Sequence, residues 1–182
     1  MERYRFVEGH ALYFLTFSVV EWLPVFIAEE PCRIVTESLN FCHESKSLRI
    51  NAFVIMPTHI HLIAFDEAFD SERLHKALTD FRKFTGRKLA DYCARHVLAA
   101  FTDVFRKQAG EDRTRRFWQP TRHPEAIYSR DFWQEKVDYI HNNPIKAGLV
   151  HRVDHWRFSS AGHWSTDTNR TESDVLLSTI EW

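Results

Sequence analysis

The chain has 182 residues, of which 44% are hydrophobic and 27% charged, a composition that predicts one globular domain with a single core. It contains no long apolar run and no signal-peptide pattern, so we expect a cytoplasmic protein without membrane spans. Its three cysteines lack C-x-x-C spacing and its five glycines form no phosphate-binding loop. These features argue against disulfide frameworks, thiolate zinc sites and ATP or NAD binding.

The first half of the chain predicts a strand, a helix and a pair of strands. Leu12–Val20 is short, aromatic and β-branched, as in a buried strand. Residues 30–44 carry apolar side chains at helical spacing after Pro31, which favours a helix start. Residues 48–56 and 59–65 are β-rich and separated by two residues, which predicts an antiparallel hairpin.

The second half predicts a long helix, a short strand and a final helix. The long helix begins at Ser71 as N-cap residue, with Gly86 as a weak point. Residues 125–128 fit a short strand. Residues 130–142 have one apolar face, and we expect this helix to end before Pro144 because proline disfavours a helical residue in front of it.

The predicted element order is β-α-β-β-α-β-α, which resembles the ferredoxin-like plan. We therefore predict an α+β fold in which a βαββαβ antiparallel sheet carries its helices on one face, with an additional C-terminal helix. Residues 1–163 would form this single domain, and residues 164–182 a polar C-terminal tail.

Two histidines, His59 and His61, alternate with apolar residues in the third predicted strand. Because successive side chains of a strand point to opposite faces, both imidazoles share one face about 7 Å apart along the strand. Two imidazoles at this separation can bind one metal ion. The alternative is a pair of polar histidines without a ligand, since an H-x-H pattern alone has low specificity.

Positive charge is concentrated between Arg82 and Arg122, where eleven Lys and Arg stand against four acids. This segment carries +7 and the rest of the chain −8, and aromatic residues are interleaved with the cations. The pattern predicts contacts with a phosphate backbone, the alternative being a solvated helix face. The predicted DNA-binding residues are Arg82, Lys83, Arg87, Lys88, Arg113, Arg115, Arg116, Trp118 and Arg122.

If the last predicted helix reaches Asn143, Tyr139 and Asn143 share a face, because they are four residues apart. A phenolate is a good nucleophile for phosphorus, but only about a thousandth of a free phenol is ionised at neutral pH, so a nearby cation would have to assist it. The alternatives are a half-buried helix tyrosine and an amide at a helix end.

Four motifs follow one another along the chain: His59-Ile60-His61, Trp118-Gln119-Pro120, YIHNNPIKAGLV over residues 139–150, and WRFSS over residues 156–160. Together they resemble the single-tyrosine HUH transposases, and specifically the REP-associated tyrosine transposases. The resemblance extends over most of the chain, roughly residues 4–160.

This resemblance implies that Tyr139 attacks a phosphodiester of single-stranded DNA, leaving a 5′-phosphotyrosine link and a free 3′-hydroxyl. His59, His61 and Asn143 would hold a divalent ion, Mg²⁺ or Mn²⁺. The DNA partner would be single-stranded or hairpin DNA at REP sequences, and the protein would be a monomer, with a dimer as the alternative. Two other functions remain open: a nucleic-acid-binding module without chemistry, and a metal-dependent hydrolase that activates water.

Overall fold

A computed structural model describes residues 11–111, 114–120, 124–165 and 173–181. Two single-turn 3-10 helices, Val20–Trp22 and Val153–His155, accompany the main elements. Those elements are β1 Leu12–Ser18, α1 Glu29–Lys46, β2 Leu48–Met56, β3 His59–Asp66, α2 Ser71–His96, α3 Ala99–Lys107, β4 Glu125–Ala126, α4 Arg130–Lys146 and α5 Ala161–Trp164.

The four strands form one antiparallel sheet in the order β2-β3-β1-β4. The predicted α+β fold with an antiparallel sheet is therefore confirmed, including the hairpin between β2 and β3. Strand β4 is only two residues long, shorter than the predicted 125–128, although the Ile127 N–H still donates to the Leu12 carbonyl of β1.

Side-chain alternation gives the sheet two apolar faces. One face, which includes Leu15, Phe17 and Leu62, packs against α1 and α2 in the larger core. The opposite face, which includes Phe14 and Ile63, packs against α4. Helix α4 therefore covers the face opposite to α1 and α2, as an additional layer.

Helix α2 runs without interruption from Ser71 to His96. Its N-cap is Asp70, whose carboxylate accepts two backbone N–H bonds, so the prediction of Ser71 as N-cap was wrong by one residue. Gly86 does not interrupt the helix. A Cβ at this position would come within 3.2 Å of Trp118, so glycine permits the close approach of the indole.

Helix α4 continues through Pro144 to Lys146, which corrects the predicted end before the proline. A proline inside a helix removes one backbone hydrogen bond, because it has no N–H. Pro144 lies in the last turn of α4, and its ring is buried. Gly148 then ends the helix with a positive φ of 70°. As a consequence, Asn143 lies inside the helix that carries Tyr139.

Two segments beyond α4 cover the free edge of β2. The Ile55 N–H donates a hydrogen bond to the Phe158 carbonyl, and the Ser160 N–H donates one to the Phe53 carbonyl. Further along the chain, the Ser178 N–H donates a hydrogen bond to the Ile50 carbonyl. Residues 173–181 of the predicted tail thus pack on the sheet, and Val175 is buried.

All three cysteines are buried free thiols. Burial raises the pKa of Cys32 and Cys93 to about 12. Among the described residues, no helix has both the length and the apolar character needed to cross a bilayer.

Candidate active site and nucleic-acid interface

His59 and His61 lie side by side on the sheet face that α4 covers. Their rings are 4.6 Å apart between centroids. The antiparallel register pairs His61 with Thr16 and His59 with Ser18. Strand alternation therefore brings the two imidazoles together, as the sequence predicts.

The ring of His61 is buried and has a defined hydrogen-bond partner on one side only. Its Nδ1 lies 2.8 Å from the Thr16 hydroxyl, while its Nε2 is buried and has no hydrogen-bond partner among the described residues. Burial, with smaller contributions from His59 and Lys136, lowers the pKa of His61 to about 3. A neutral imidazole with an uncommitted nitrogen is the form that ligates a metal.

His59 has a similar arrangement at the end of the strand. Its Nδ1 is 2.9 Å from the Thr58 hydroxyl, and burial lowers its pKa. The edge of the ring also contacts Trp22, with centroids 5.7 Å apart. Trp22 belongs to a turn with positive φ at two successive residues, which the sequence pattern did not single out.

Tyr139 projects from α4 over the histidine pair. Its ring lies 5.2 Å from that of His61 and 5.8 Å from that of Phe14, both at steep angles. The residue is 41% exposed, so the ring is anchored by the sheet while solvent reaches the side chain. The structure thus brings together three residues that are separated by up to 80 positions in the chain.

Asn143 lies one turn after Tyr139 and is half-buried. Its amide nitrogen donates a 2.9 Å hydrogen bond to the carbonyl of Tyr139, which leaves the amide oxygen as the group that could ligate a cation. The described residues contain no cluster of three His, Cys, Asp or Glu that could hold a metal. A cation at the two imidazoles would therefore need the Asn143 amide or solvent to complete its coordination.

Two lysines near Tyr139 were missed by sequence reasoning. The Lys146 ammonium lies 5.6 Å from the centre of the Tyr139 ring, and the Lys136 ammonium lies 4.8 Å from that of Phe14. Lys136 also forms a 2.9 Å ion pair with Glu125 of β4. Helical spacing from Tyr139, at three residues before and seven after, could have identified both.

A second feature is a basic cavity of about 520 Å³ between α2 and residues 114–118. Arg82 donates a hydrogen bond to the Gln119 carbonyl, and Arg115 pairs with Asp91. Five of the cations predicted to bind DNA line this cavity: Arg82, Lys83, Arg87, Arg115 and Arg116.

The other four predicted DNA contacts differ from these five. Lys88 lines a groove between α1 and α2, with its ammonium 5.7 Å from the centre of the Phe84 ring. Arg113 and Arg122 lie outside the described residues. Trp118 is only 4% exposed, stacks on Phe26 and donates a 3.1 Å bond to the Thr85 hydroxyl.

Trp118 is therefore a core residue whose indole edge meets the wall of the basic cavity. Its burial leaves little aromatic surface for a DNA base to stack on, in contrast to the predicted direct contact. Trp118 instead helps to hold residues 117–119 against β1, where the backbone N–H of Gln119 donates a hydrogen bond to the carbonyl of Ser18.

No protein-family model matches the sequence. A curated relative, the REP-associated tyrosine transposase of Escherichia coli (strain K12), is 28% identical over 118 residues, which are 63% of this chain. The match covers 55% of that relative, so the chain spans about half of its length.

A solved structure of a REP-associated tyrosine transposase bound to a REP hairpin has the same fold, with a TM-score of 0.60 and 21% identity. The match covers 98% of this chain and 100% of that one. A structure from Deinococcus radiodurans R1, of a protein assigned as a transposase, has a TM-score of 0.46 and 15% identity over 78% of this chain and 97% of that one. The resemblance to REP-associated tyrosine transposases inferred from the motifs is confirmed.

Proposed function

We propose that this protein is a transposase-type enzyme that nicks and rejoins DNA through a covalent bond between Tyr139 and a 5′-phosphate. The observation that carries the proposal is the contact of the Tyr139 and His61 rings, 5.2 Å apart. It places a solvent-accessible phenol beside a buried imidazole nitrogen that has no protein partner among the described residues. A phenol beside two potential metal ligands suits attack on phosphorus.

The residues present fit a divalent cation. His59 and His61 would supply imidazole nitrogens and Asn143 an amide oxygen, a mixed set that suits Mn²⁺ at least as well as Mg²⁺. When bound, such an ion would polarise the scissile phosphate and orient it toward Tyr139. The hydroxyls of Thr16 and Thr58 would fix the two rings from behind.

In the proposed reaction, the Tyr139 oxygen forms a bond to phosphorus and the bond from phosphorus to the 3′ oxygen breaks. The phenol loses a proton and the departing 3′ oxygen gains one, which leaves a 3′-hydroxyl. Lys146 and Lys136 would offset the negative charge of the phosphate. Reversal with another 3′-hydroxyl rejoins DNA without ATP, because the phosphotyrosine bond conserves the energy of the phosphodiester.

We propose single-stranded or hairpin DNA as the substrate, as the similarity to a hairpin-bound transposase suggests. The basic cavity would bind the phosphate backbone, since five cations converge there. A location in the cytoplasm, expected from the sequence, and a monomeric state, implied by the family resemblance, stay predictions.

The proposal is tested by incubating the protein and Mn²⁺ with hairpin-forming oligonucleotides that carry a label at one end. A 3′ label should migrate with the protein in a denaturing gel, because the tyrosine holds the 5′-phosphate of the downstream fragment. A 5′ label should leave as a shorter fragment with a 3′-hydroxyl. Cleavage without an adduct would indicate a hydrolase, and retention without cleavage a binding module, and either result would contradict the proposal.

A further inference from the structure

A cavity of about 360 Å³ lies beside α4, between that helix, α5 and the C-terminal segment. Its volume is at the lower end of the range for small-molecule pockets, which is roughly 300–1,000 Å³. None of the residues assigned above to the nucleophile, the metal ligands or the basic cavity lines it.

Asn51 organises the wall of this cavity. It sits at a bulge in β2, where the register shifts between Ile50 and Ala52, and it is buried. Its side-chain oxygen accepts a 2.7 Å bond from the indole of Trp133, and its backbone carbonyl accepts a 3.1 Å bond from the indole of Trp164. One bulged residue thus fixes two indole rings at the cavity.

Part of the cavity lining on α4 is polar. Gln134 and Asp138 are exposed and one helical turn apart, and the Gln134 amide donates a 2.9 Å bond to the Asp138 carboxylate. Among the described residues, the lining contains no lysine or arginine. Two indoles and a carboxylate without a cation suit an uncharged ring with hydrogen-bonding edges, and they disfavour a phosphate.

The cavity and the nucleophile lie on opposite flanks of α4. Asp138 and Tyr139 are adjacent in sequence, while Val137 and Ile140 between the two flanks are buried against the sheet. An α-helix with its side chains is about 10–12 Å across, so a base in the cavity would lie roughly one helix diameter from a phosphate at Tyr139.

We propose that this cavity binds one nucleobase of a nucleotide flanking the scissile phosphate and thereby determines sequence specificity. The inference rests on the proposed function, since it assumes that DNA reaches Tyr139. Unstacked bases are commonly bound between aromatic side chains and recognised along their polar edges. A carboxylate accepts hydrogen bonds from an exocyclic amine, so the preferred base is cytosine, adenine or guanine rather than thymine.

The test is a selection of bound sequences from hairpin oligonucleotides with randomised flanking positions. The Tyr139→Phe protein serves as the background, so that binding is measured without chemistry. Asp138→Asn removes the carboxylate, and Glu135→Gln is the matched control, because Glu135 is an exposed residue of the same helix that does not line the cavity. Gln134→Ala provides a second change in the wall.

The background protein and the Glu135→Gln control should both favour an amine-bearing base at one flanking position. Asp138→Asn should reduce that preference about tenfold, as for the loss of one base-edge contact. The same preference in Asp138→Asn and Gln134→Ala, or no preference in the background protein, would overturn the inference. If the wild-type protein formed no covalent adduct, that result would contradict the proposed function but would leave a measured base preference intact.

Discussion

Thr16 on β1 and His61 on β3 face each other in the sheet, and the Thr16 hydroxyl lies 2.8 Å from Nδ1 of His61. The strand register fixes this contact, because it pairs the two residues directly. If Nδ1–H donates to the hydroxyl, the lone pair is on Nε2, the nitrogen that has no hydrogen-bond partner in the described structure.

Replacing this hydroxyl should weaken metal binding without unfolding the protein. We expect Thr16→Val to lower the affinity for Mn²⁺ about 10- to 100-fold in a calorimetric titration, because the His61 ring loses the partner that orients it. Thr36→Val is the control, since the Thr36 hydroxyl donates to the Arg33 carbonyl of its own helix. Wild-type affinity in Thr16→Val would show that the contact does not support a ligand.

The basic cavity predicts a change in the salt dependence of DNA binding. Lys83→Ala combined with Arg87→Ala should flatten the slope of log K against log salt by up to about 0.7 per lost phosphate contact on single strands. Lys76→Ala is the control, because Lys76 is exposed on α2 and does not line the cavity. Equal slopes for the double variant and the wild type would remove the cavity from the DNA interface.

Trp118 should matter for stability more than for direct contact with DNA. Trp118→Phe loses the hydrogen bond to Thr85 and part of the buried ring volume, so we expect a loss of about 1–3 kcal/mol in the free energy of unfolding. The exposed Trp22 offers a comparison, because Trp22→Phe should change stability by less than about 0.5 kcal/mol. An unchanged urea midpoint in Trp118→Phe would contradict this assignment.

Asn143 and Asn142 form a matched pair, since each amide donates to the carbonyl four residues earlier. Asn143→Ala should slow adduct formation about tenfold and be partly rescued by more Mn²⁺, because water can replace one neutral ligand. Asn142→Ala should form the adduct at the wild-type rate. Equal rates for both variants would exclude Asn143 from the site.

Local sequence patterns predict most of the fold. Alternation in 59–65 and the two-residue connection before it fix the β2–β3 hairpin and place both histidines on one face. The end of α4 was mispredicted because a proline rule considers only the backbone. Burial of Pro144 and the Gly148 cap outweigh the missing hydrogen bond.

The site is less predictable where it depends on tertiary contacts. Helical spacing joins Tyr139 to Asn143, but only packing of α4 on the sheet brings Tyr139 to His61. Charge density predicts the cations of α2 without distinguishing Lys88, which lies in another groove, from Arg87. It also cannot reveal that Trp118 is buried, because an aromatic residue among cations fits both a base contact and a core.

The most direct test of the proposed mechanism is to identify the residue that becomes covalently bound to DNA. Tyr139→Phe removes only the hydroxyl, so the fold and DNA affinity should be retained while the adduct disappears. Tyr128→Phe is the control, because Tyr128 is 71% exposed and precedes the same helix.

The measurement is mass spectrometry of peptides from the trapped adduct, formed by the wild type and by both variants with hairpin DNA and Mn²⁺. The proposed mechanism predicts a nucleotide remnant on the peptide that contains Tyr139 in the wild type and in Tyr128→Phe, and no adduct in Tyr139→Phe. An adduct that persists in Tyr139→Phe, or a remnant on another residue, would contradict it.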